Sequence, residues 1–204
     1  MNIISVEGMP VAFMNLSKND LDDLQEHYLP IMFNVDEDDM YRGFSRISKS
    51  DRQLDDPTSD LFLKYNETLK PYIMDYVQSY NFDFNYELNM HTWYNVHAKH
   101  DHHSLHNHVV TGTPAFSLVC LLKQPGELGG QLCFPTPSLS NHLKYLELDP
   151  NNNYPDYLGT PIEDGSIVMF PTCLQHFVTH NQTDGLRAVF SSNIKVTNKD
   201  LTIT

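Results

Sequence analysis

The chain has 204 residues, of which 40% are hydrophobic, so it is long and apolar enough to fold around one well-buried core. Acidic residues outnumber basic ones by 26 to 13 and no run of Lys or Arg occurs, which argues against nucleic acid as a partner. No segment rich in Gly, Ser or Pro divides the sequence, and we therefore expect a single domain over residues 1–204.

The N-terminus and the cysteines indicate a soluble protein of a reducing compartment. The N-terminus lacks a basic stretch followed by an apolar one, and no apolar run is long enough to cross a bilayer, so no membrane partner is expected. The three cysteines form no CxxC pair, which argues against a disulfide framework and against a cysteine-based zinc site. We expect a cytoplasmic protein, in the host cytoplasm if it is viral.

Residues 1–85 carry the helical signals and are predicted to form a mostly helical support. One helix is expected in SKNDLDDLQEHYLPIM, which starts with cap-type residues, and another in TSDLFLKYNETLKPYIMDYVQSY. Pro71 lies within the second segment and is expected to kink or divide that helix. Apolar residues recur there at helical spacing and predict a buried stripe of Phe62, Tyr65, Leu69, Tyr72, Ile73 and Tyr76.

From residue 86 onward, short β-rich runs alternate with turn residues. The runs are NYELNMHTWYNV, PAFSLVCLLK, GGQLCFP, GSIVMFP, CLQHFVTH and LRAVFSSNIKV. Their spacing predicts an antiparallel sandwich or barrel. A polar insertion between Pro135 and Pro161 is too long for a hairpin turn, and is either a variable surface loop or a cover over the mouth of a site.

Six of the eleven histidines lie within residues 97–108, HAKHDHHSLHNH. The last two, His106 and His108, are two residues apart, and on a strand such side chains project from the same face about 7 Å apart. Both could reach one metal ion, but two protein ligands rarely hold a catalytic metal alone. His176, on a separate apolar segment, is the candidate third ligand; its alternative role is a hydrogen-bonded core histidine.

Arg187 interrupts the otherwise apolar segment LRAVFSSNIKV. If its side chain points inward it needs a carboxylate or a phosphate; otherwise it is an outward-facing edge charge. The order along the chain is His-x-His, an apolar strand, GGxLxF, a strand ending in Phe-Pro, a histidine and then the arginine. This order is much more specific than any one of its members.

The ordered pieces are WYN at 93–95, His106 and His108, GGQLCF at 129–134, DGSIVMFP at 164–171, His176 and Arg187. On these residues the sequence resembles the iron(II)- and 2-oxoglutarate-dependent dioxygenases. It is most similar to the prolyl-hydroxylase-like branch and to the small oxygenases of phages and marine bacteria. The resemblance covers residues 93–193, about half of the chain.

The resemblance implies a mainly β fold, a distorted double-stranded β-helix or jelly roll with supporting N-terminal helices. Residues 86–204 would be its catalytic core. It also implies Fe(II) held by His106 and His176, with 2-oxoglutarate and O2 as cosubstrates. Arg187 would pair with the distal carboxylate of 2-oxoglutarate, for which a planar guanidinium is suited.

The sequence departs from the family pattern at the metal. The third ligand of the family is a carboxylate two residues after the first histidine, yet none of the eleven histidines is followed at that distance by Asp or Glu. His108 occupies the position, so the centre contains three histidines or takes a carboxylate from elsewhere, with Asp101 the nearest candidate. An imidazole in place of a carboxylate raises the charge of the ferrous centre by one unit.

The expected cosubstrate pocket departs from the pattern as well. Related enzymes often place a tyrosine that helps to hold 2-oxoglutarate where this chain has Cys-Leu-Leu at 120–122. Ser191 or Ser117 is the candidate to assist Arg187 instead. Asn95 either lines the pocket or satisfies backbone groups in a turn or at an edge.

The first four histidines of the 97–108 stretch precede the expected ligands. We predict that they are solvated or substrate-facing loop residues rather than ligands of a second metal. They are His97, His100, His102 and His103.

Three functions remain in competition at this point. The leading hypothesis is a dioxygenase that hydroxylates a C–H bond of an amino-acid or peptidyl substrate, prolyl by resemblance alone, and releases succinate and CO2. One alternative is a three-histidine cupin-like dioxygenase that does not use 2-oxoglutarate, against which Arg187 argues. The other is a non-enzymatic jelly-roll module whose histidine loop binds metal or switches a contact with pH. The sequence predicts no oligomeric state.

Overall fold

The structure is a computed structural model that describes residues 1–34, 40–42, 45–47, 49–51, 60–109, 114–136 and 157–200. Two helices, α1 (Lys18–Asn34) and α2 (Asp60–Gln78), lie where the sequence predicts them. Ser17 caps α1, because its hydroxyl accepts the backbone N–H of Asp20 at 3.1 Å and donates to the Asp20 carboxylate at 2.7 Å.

Helix α2 runs through Pro71 undivided, so the expected division of this helix was wrong. A proline inside a helix removes one hydrogen bond and costs about 3 kcal/mol. Burying one large apolar side chain contributes about 1.5–3 kcal/mol, so the packing of the stripe outweighs that cost. Tyr72 of the predicted stripe is partly buried, and the other five members are at most 4% exposed: Phe62, Tyr65, Leu69, Ile73 and Tyr76.

The strands of the described segments are, in chain order, β1 (Asn2–Val6), β2 (Met9–Asn15), β3 (Met40–Arg42), β4 (Ser45–Ile47), β5 (Lys49–Asp51), β6 (Tyr86–His97), β7 (His103–His106), β8 (Phe116–Lys123), β9 (Leu132–Pro135), β10 (Tyr157–Gly159), β11 (Ser166–Pro171), β12 (His176–Val178) and β13 (Arg187–Asn198). The six β-rich runs predicted after residue 86 coincide with β6, β8, β9, β11, β12 and β13. Of the expected insertion, residues 137–156 lie outside the described segments.

Two facing antiparallel sheets form the body of the fold. The larger has the order β1-β2-β11-β8-β13-β6-β5, and the smaller has the order β10-β9-β12-β7. A separate hairpin pairs β3 with β4. The expected mainly β jelly roll with N-terminal helices is therefore confirmed. No helix within the described ranges is long and apolar enough to span a membrane.

The hairpin formed by β1 and β2 was not foreseen in the mostly helical N-terminal region. Strand β2 pairs antiparallel with β11, with Met14 opposite Ile167, so the hairpin extends the large sheet. Val6 and Val11 of this hairpin are buried in the apolar cluster between the two sheets. The first fifteen residues therefore belong to the β body, whereas α1 and α2 cover the opposite face.

Alternation along the strands of the large sheet assigns each side chain to one of two faces. On β13, Ala188 and Phe190 are buried in the cluster formed with α1 and α2. The alternate residues Arg187, Val189 and Ser191 line a pocket on the other face. One strand thus contributes both to the hydrophobic core and to the pocket between the sheets.

Phe190 is the residue on which the helix-facing core should depend most. Its ring centroid lies 4.9 Å from that of Tyr28, 5.8 Å from that of Phe62 and 4.2 Å from that of Tyr65. We expect Phe190→Ala to lower the free energy of unfolding by about 3–5 kcal/mol, measured by urea denaturation. Leu63→Ala on α2 is the matched control, since Leu63 is 54% exposed and should lose less than about 0.5 kcal/mol. Equal losses in the two variants would contradict this assignment of the core.

Candidate metal centre and cosubstrate pocket

Three histidines from the smaller sheet converge at one end of the space between the sheets. His106 ends β7 and pairs in register with His176, the first residue of β12. His108 follows β7, where its backbone N–H donates to the carbonyl of Thr172 at 3.0 Å. One ring nitrogen from each histidine lies within 4.8 Å of the other two. The structure therefore brings together the three residues that the sequence singled out.

Each of these imidazoles has an oxygen acceptor at Nδ1. His106 Nδ1 lies 2.7 Å from the carbonyl of Ser104, and His176 Nδ1 lies 3.0 Å from the carbonyl of Leu174. His108 Nδ1 lies 2.6 Å from Oδ1 of Asn193. A carbonyl or amide oxygen accepts only from N–H, so these contacts place a ring proton on Nδ1 and leave Nε2 as the nitrogen that could bind a metal. Such outer contacts are characteristic of metal-ligating histidines.

The environment of His176 favours its neutral form. Burial is the main cause that holds the pKa of His176 well below its ordinary value, and the neighbouring His106 and His108 lower it further, against the opposing effect of the Leu174 carbonyl. At neutral pH a metal ion would therefore not compete with a proton for this nitrogen. Ligands of one ion lie roughly 3–3.5 Å apart, so small side-chain movements suffice to close the site around a metal.

Asp101 is not part of the histidine cluster. Its carboxylate accepts the backbone N–H of Ala98 at 2.8 Å and its own N–H donates to the Ala98 carbonyl at 3.1 Å, so it closes a tight turn after β6. Within the described ranges, the group of close ligand atoms contains histidines alone. The geometry therefore favours His108 over Asp101 as the third member.

Arg187 lies on the pocket side of β13 and is 3% exposed. Its Nη1 donates to Nδ1 of His97 at 3.2 Å, while its Nε has no hydrogen-bond partner among the described residues. Burial lowers its pKa to about 10, which leaves it protonated at neutral pH. Among the described residues no carboxylate forms an ion pair with Arg187. Its side chain is therefore an inward-pointing cation and not the outward-facing edge charge that the sequence also allowed.

His97 is not the solvated or substrate-facing loop residue that the sequence predicted. It is the last residue of β6, pairs in register with Arg187 and is 1% exposed. Strand β6 continues through it because β13 supplies a partner for every residue back to Tyr86. Burial, and then the charge of Arg187, hold its pKa well below the ordinary value.

The other three histidines of the stretch lie outside the cluster of close ligand atoms. His100 is exposed and His102 half-buried, and the ring of His102 lies 4.2 Å from that of His180. His103 is half-buried, lines the pocket and stacks on His106 with centroids 4.1 Å apart. The exposure of His100 agrees with the expected solvated loop, whereas His103 is the first residue of β7 and not a loop residue.

Trp93 and Asn95 line the pocket beside His97 on β6. Asn95 is 3% exposed, and neither its Oδ1 nor Nε1 of Trp93 has a hydrogen-bond partner within the described segments. Asn95 therefore does not serve to satisfy backbone groups through Oδ1, which favours the pocket-lining interpretation of the sequence. A buried polar atom of this kind normally has a partner, so each is expected to contact a ligand group or an ordered water.

The two serines proposed as assistants of Arg187 lie elsewhere in the pocket. Ser117 Oγ is 3.3 Å from Nδ1 of His108 and 3.3 Å from Oδ1 of Asn193, so it belongs to the metal end. Ser191 lies four residues along β13 from Arg187 and pairs with Trp93, a separation of roughly 13 Å between Cα atoms. It lines the same pocket, at the end beside Trp93.

Cys120, which stands where related enzymes often have a tyrosine, faces away from the pocket. It is fully buried in the core cluster shared with α1 and α2, and burial raises its pKa. The neighbouring pocket-facing residue of β8 is Val119. No side chain on this part of β8 can therefore replace the missing tyrosine.

The sequence did not predict the roles of three residues that shape the site. Asn193 holds His108, and Asn181 donates from Nδ2 to the carbonyls of His97 and Gly185 at 3.1 and 2.8 Å. Gly130 has φ +89°, and a Cβ there would lie 3.0 Å from the Thr179 carbonyl and 3.5 Å from Cδ of Arg187. The turn residues of HNQTDG and GG were visible, but their partners lie far away in the sequence.

A jelly roll with a histidine cluster and a buried arginine between its sheets has the architecture of a metal-dependent oxygenase. The family described as "Putative 2OG-Fe(II) oxygenase" matches residues 91–193, half of the chain, and the chain belongs to this family. It is accordingly an oxidoreductase whose cofactor is Fe(II) and whose cosubstrates are 2-oxoglutarate and O2. No curated protein matches the sequence.

Solved structures show the same fold at low sequence identity. The 2-oxoglutarate-dependent epimerase SnoN of nogalamycin biosynthesis aligns with a TM-score of 0.62 and 14% identity, over 90% of this chain and 76% of its own. HygX of Streptomyces hygroscopicus, with nickel and 2-oxoglutarate bound, aligns with a TM-score of 0.58 and 12% identity, over 91% of this chain and 82% of its own. A prolyl-4-hydroxylase of Pseudomonas putida aligns with a TM-score of 0.56 and 11% identity, over 91% of each chain.

Gly130 should tolerate no side chain, because a Cβ would meet the Thr179 carbonyl in a backbone conformation that L-residues rarely adopt. Gly8 is the matched control, since its φ is +81° but a Cβ there meets no atom within 4 Å. We expect Gly8→Ala to cost about 1 kcal/mol of unfolding free energy and Gly130→Ala clearly more, measured by thermal unfolding. Similar losses would show that Gly130 is required for its φ alone.

Proposed function

We propose that His106, His108 and His176 hold the Fe(II) of this oxygenase as a three-histidine centre, and that the enzyme hydroxylates a C–H bond of an amino-acid or peptidyl substrate. One observation carries the proposal: three imidazoles, each with an oxygen acceptor at Nδ1, bring one ring nitrogen apiece to within 4.8 Å of the other two. When bound, Fe(II) with 2-oxoglutarate and O2 supplies the oxidising power for hydroxylation, with release of succinate and CO2.

The residues fit these groups. Neutral imidazole nitrogens are good ligands for ferrous iron, and contacts at Nδ1 orient the rings before a metal enters. Arg187 is buried with an unpartnered Nε among the described residues, as expected of a group that awaits an anion. Its planar fork can bind the distal carboxylate of 2-oxoglutarate through two parallel hydrogen bonds.

Other pocket residues would exclude water from the reacting centre. The pocket that Arg187 and the histidines line is also lined by the apolar residues Val119, Leu132, Phe170, Val178 and Val189. Apolar walls of this kind lower the local dielectric and strengthen the ion pair between a guanidinium and a carboxylate. The apolar walls thus strengthen the electrostatic contacts that the polar side chains of the pocket make.

The charge of the pocket supports an anionic ligand. None of the described residues that line it is Asp or Glu, whereas Arg187 contributes one positive charge. With a third histidine in place of a carboxylate, the loaded centre would carry one more positive unit than a two-histidine centre with a carboxylate. A dianionic oxo acid compensates this charge better than a neutral ligand does.

The amino-acid or peptidyl substrate, and its prolyl form in particular, is supported by resemblance and by the fold shared with a prolyl-4-hydroxylase. HygX has been solved with hygromycin B, so the same fold also accommodates small molecules. Screening the Fe(II)-loaded enzyme against free amino acids, proline-containing peptides and aminoglycosides, with succinate release as the readout, would separate these classes. If aminoglycosides alone stimulate succinate release, the assignment of an amino-acid or peptidyl substrate is wrong.

Anaerobic titration of the Fe(II)-loaded protein with 2-oxoglutarate should give a saturable visible charge-transfer band. We expect His176→Ala to abolish the band, because it removes a ligand. Arg187→Ala should weaken 2-oxoglutarate binding about 100-fold, because it removes a buried charged partner. His27→Ala, which alters an exposed histidine of α1, is the control and should leave the titration unchanged.

The same titration, followed by an aerobic measurement of O2 uptake, discriminates between the alternatives. Iron binding without any band, together with O2 consumption that is independent of 2-oxoglutarate, would favour a cupin-like three-histidine dioxygenase. Metal binding that survives His176→Ala would place the metal in the surface histidines instead, and the proposed centre would then be wrong.

Asn193 should act on metal affinity without touching the metal. Because its Oδ1 lies 2.6 Å from Nδ1 of His108, we expect Asn193→Ala to weaken Fe(II) binding about 10- to 100-fold. Asn193→Asp keeps an acceptor and should retain the affinity, and Asn89→Ala on the exposed part of β6 is the control. Competition with a coloured chelator measures the Fe(II) affinity of the wild type and of the three variants. An unchanged affinity in Asn193→Ala would remove His108 from the set of ligands.

A further inference from the structure

The guanidinium of Arg187 has two edges that could bind a carboxylate, and His97 contacts an atom of only one of them. Nη1 of Arg187 lies 3.2 Å from Nδ1 of His97, and both side chains are at most 3% exposed. We infer that His97 is a positioning residue: it holds Nη1 of Arg187, so that the edge formed by Nε and Nη2 receives the distal carboxylate of 2-oxoglutarate. This inference rests on the proposed use of the pocket by 2-oxoglutarate.

The hydrogen bond between the two side chains has a fixed direction. A guanidinium has donors only, so Nη1 of Arg187 donates and Nδ1 of His97 accepts. A neutral imidazole that accepts at Nδ1 carries its proton at Nε2, on the far side of the ring. Burial, and then the charge of Arg187, hold the pKa of His97 well below its ordinary value, which preserves this acceptor at neutral pH. His97 therefore acts on Arg187 through its lone pair, and its own N–H points elsewhere.

The contact at Nη1 leaves one complete edge of the guanidinium free. Nη1 is the terminal nitrogen on the same side as Cδ, whereas the N–H groups of Nε and Nη2 point in parallel from the other edge. Nε of Arg187 is buried and has no hydrogen-bond partner among the described residues. Two parallel donors match the two oxygens of a carboxylate. A carboxylate on this edge would satisfy Nε, whereas one bound across Nη1 and Nη2 would leave Nε buried without a partner.

Strand pairing presents the acceptor of His97 to Arg187. The two residues are register partners on β6 and β13, and both side chains line the pocket. Directly opposed residues on one face of a sheet have Cβ atoms about 4.5–5.5 Å apart. The backbone of His97 is held in turn, because its carbonyl accepts Nδ2 of the fully buried Asn181 at 3.1 Å. The fold thus fixes the position of the imidazole before any ligand binds.

Strand pairing fixes the backbone of Arg187 but not its long side chain. Gly130 borders the stem of this side chain, since a Cβ there would lie 3.5 Å from Cδ of Arg187. Beyond Cδ, the contact with His97 is the one hydrogen bond that the described residues give to the guanidinium. Without it, the planar group could rotate about the Cδ–Nε bond and turn Nε away from the ligand. Fixing the donors beforehand reduces the entropy that is lost on binding.

No acidic group among the described residues competes for the free edge of Arg187. The lining of the pocket in these segments contains neither Asp nor Glu. The thiol of Cys133 interacts electrostatically with Arg187, but burial raises the pKa of this thiol to about 12. Cys133 is therefore neutral at physiological pH, and the positive charge of Arg187 remains available to an anion.

Three substitutions of His97 separate a positioning role from direct contact with the ligand. The side-chain oxygen of Asn occupies about the place of Nδ1, so His97→Asn keeps an acceptor for Nη1 of Arg187. The amide of Gln reaches about the place of Nε2 instead, and His97→Leu has no polar group at either place. We expect His97→Leu and His97→Gln to weaken 2-oxoglutarate binding about 10-fold, and His97→Asn to stay within about 3-fold of wild type.

These affinities are measured by calorimetry on the anaerobic Fe(II)-loaded proteins, with 2-oxopentanoate as the control ligand. This oxo acid lacks the distal carboxylate, so its affinity should be the same in wild type and in all three variants. Equal losses for both oxo acids would show damage to the pocket as a whole and would overturn the inference. Recovery in His97→Gln but not in His97→Asn would also overturn it, because the useful group would then lie at Nε2.

A second readout uses the unaltered protein, so it decides the question even if a variant does not fold. In protein loaded with diamagnetic Zn(II) and containing ¹⁵N-labelled arginine, 2-oxoglutarate should shift the Nε–H resonance of Arg187 and slow its exchange with water. The control ligand 2-oxopentanoate should do neither. The resonance is assigned by its absence in Arg187→Lys. A resonance that does not respond to bound 2-oxoglutarate would place the carboxylate on another edge.

The outcomes distinguish the two levels of the proposal. If wild type binds 2-oxoglutarate but the Nε–H resonance stays unchanged, or if all three variants bind as wild type does, the positioning role is overturned while the pocket assignment stands. If wild type binds Fe(II) but no 2-oxoglutarate, the proposed function fails and this inference fails with it. Weaker binding in His97→Leu and His97→Gln, retained binding in His97→Asn and a shifted resonance together support the inference.

Discussion

Twelve consecutive residue pairs join β6 to β13, and the core and the pocket both depend on this register. Side chains alternate between the two faces of β13, so Phe190 faces the helices while Arg187, Val189 and Ser191 face the pocket. Strand β6 alternates in the same way. A shift of one residue would turn the arginine into the aromatic cluster and the phenylalanine into the pocket. The hydrophobic effect that drives Phe190 under α1 and α2 thus also positions Arg187 beside His97.

Polar groups in the pocket carry an energetic cost that this core must offset. Within the described segments, four buried polar atoms that face the pocket lack a hydrogen-bond partner: Trp93 Nε1, Asn95 Oδ1, His97 Nε2 and Arg187 Nε. At about 1–3 kcal/mol each, their combined cost is comparable to the net stability of about 5–15 kcal/mol of an ordinary domain. The aromatic cluster around Phe190 supplies the compensation. Its packing allows the large sheet to keep a polar face ready for a ligand.

The sequence identifies residues whose type is unusual in their sequence context, but it does not identify the residues that contact them in the fold. His176 and Arg187 attracted attention because a charged or titratable group within an apolar strand needs a reason, and His106 and His108 because of their spacing. His97 was assigned to a loop because it starts a histidine-rich stretch. Only its pairing with Arg187 across 90 residues shows that it belongs to the strand.

The same limit explains the other differences between prediction and structure. Asn193 has no local signal, since its role is to accept a hydrogen bond from a histidine that lies 85 residues earlier in the sequence. Residues 2–15 were not foreseen as a hairpin because their strand pairing with β11 is equally remote. Local rules predict that Pro71 kinks or divides its helix, but the helix is undivided because tertiary packing of the buried stripe outweighs the local penalty. Local patterns therefore predicted most of the elements, and long-range register decided the site.

Electrostatics connects this register to the chemistry. The whole chain carries a formal charge of −13, yet exposed charges beyond about 8–10 Å are largely screened at physiological ionic strength, so the nearest groups dominate inside the pocket. Those groups are Arg187 and the imidazoles, with no acid among the described lining residues. A pocket of this composition favours an anion beside Arg187, and the histidine nitrogens at its other end are available to a metal ion. With His108 in place of a carboxylate, as proposed, a loaded metal centre would carry one more positive unit, which would favour anionic ligands further.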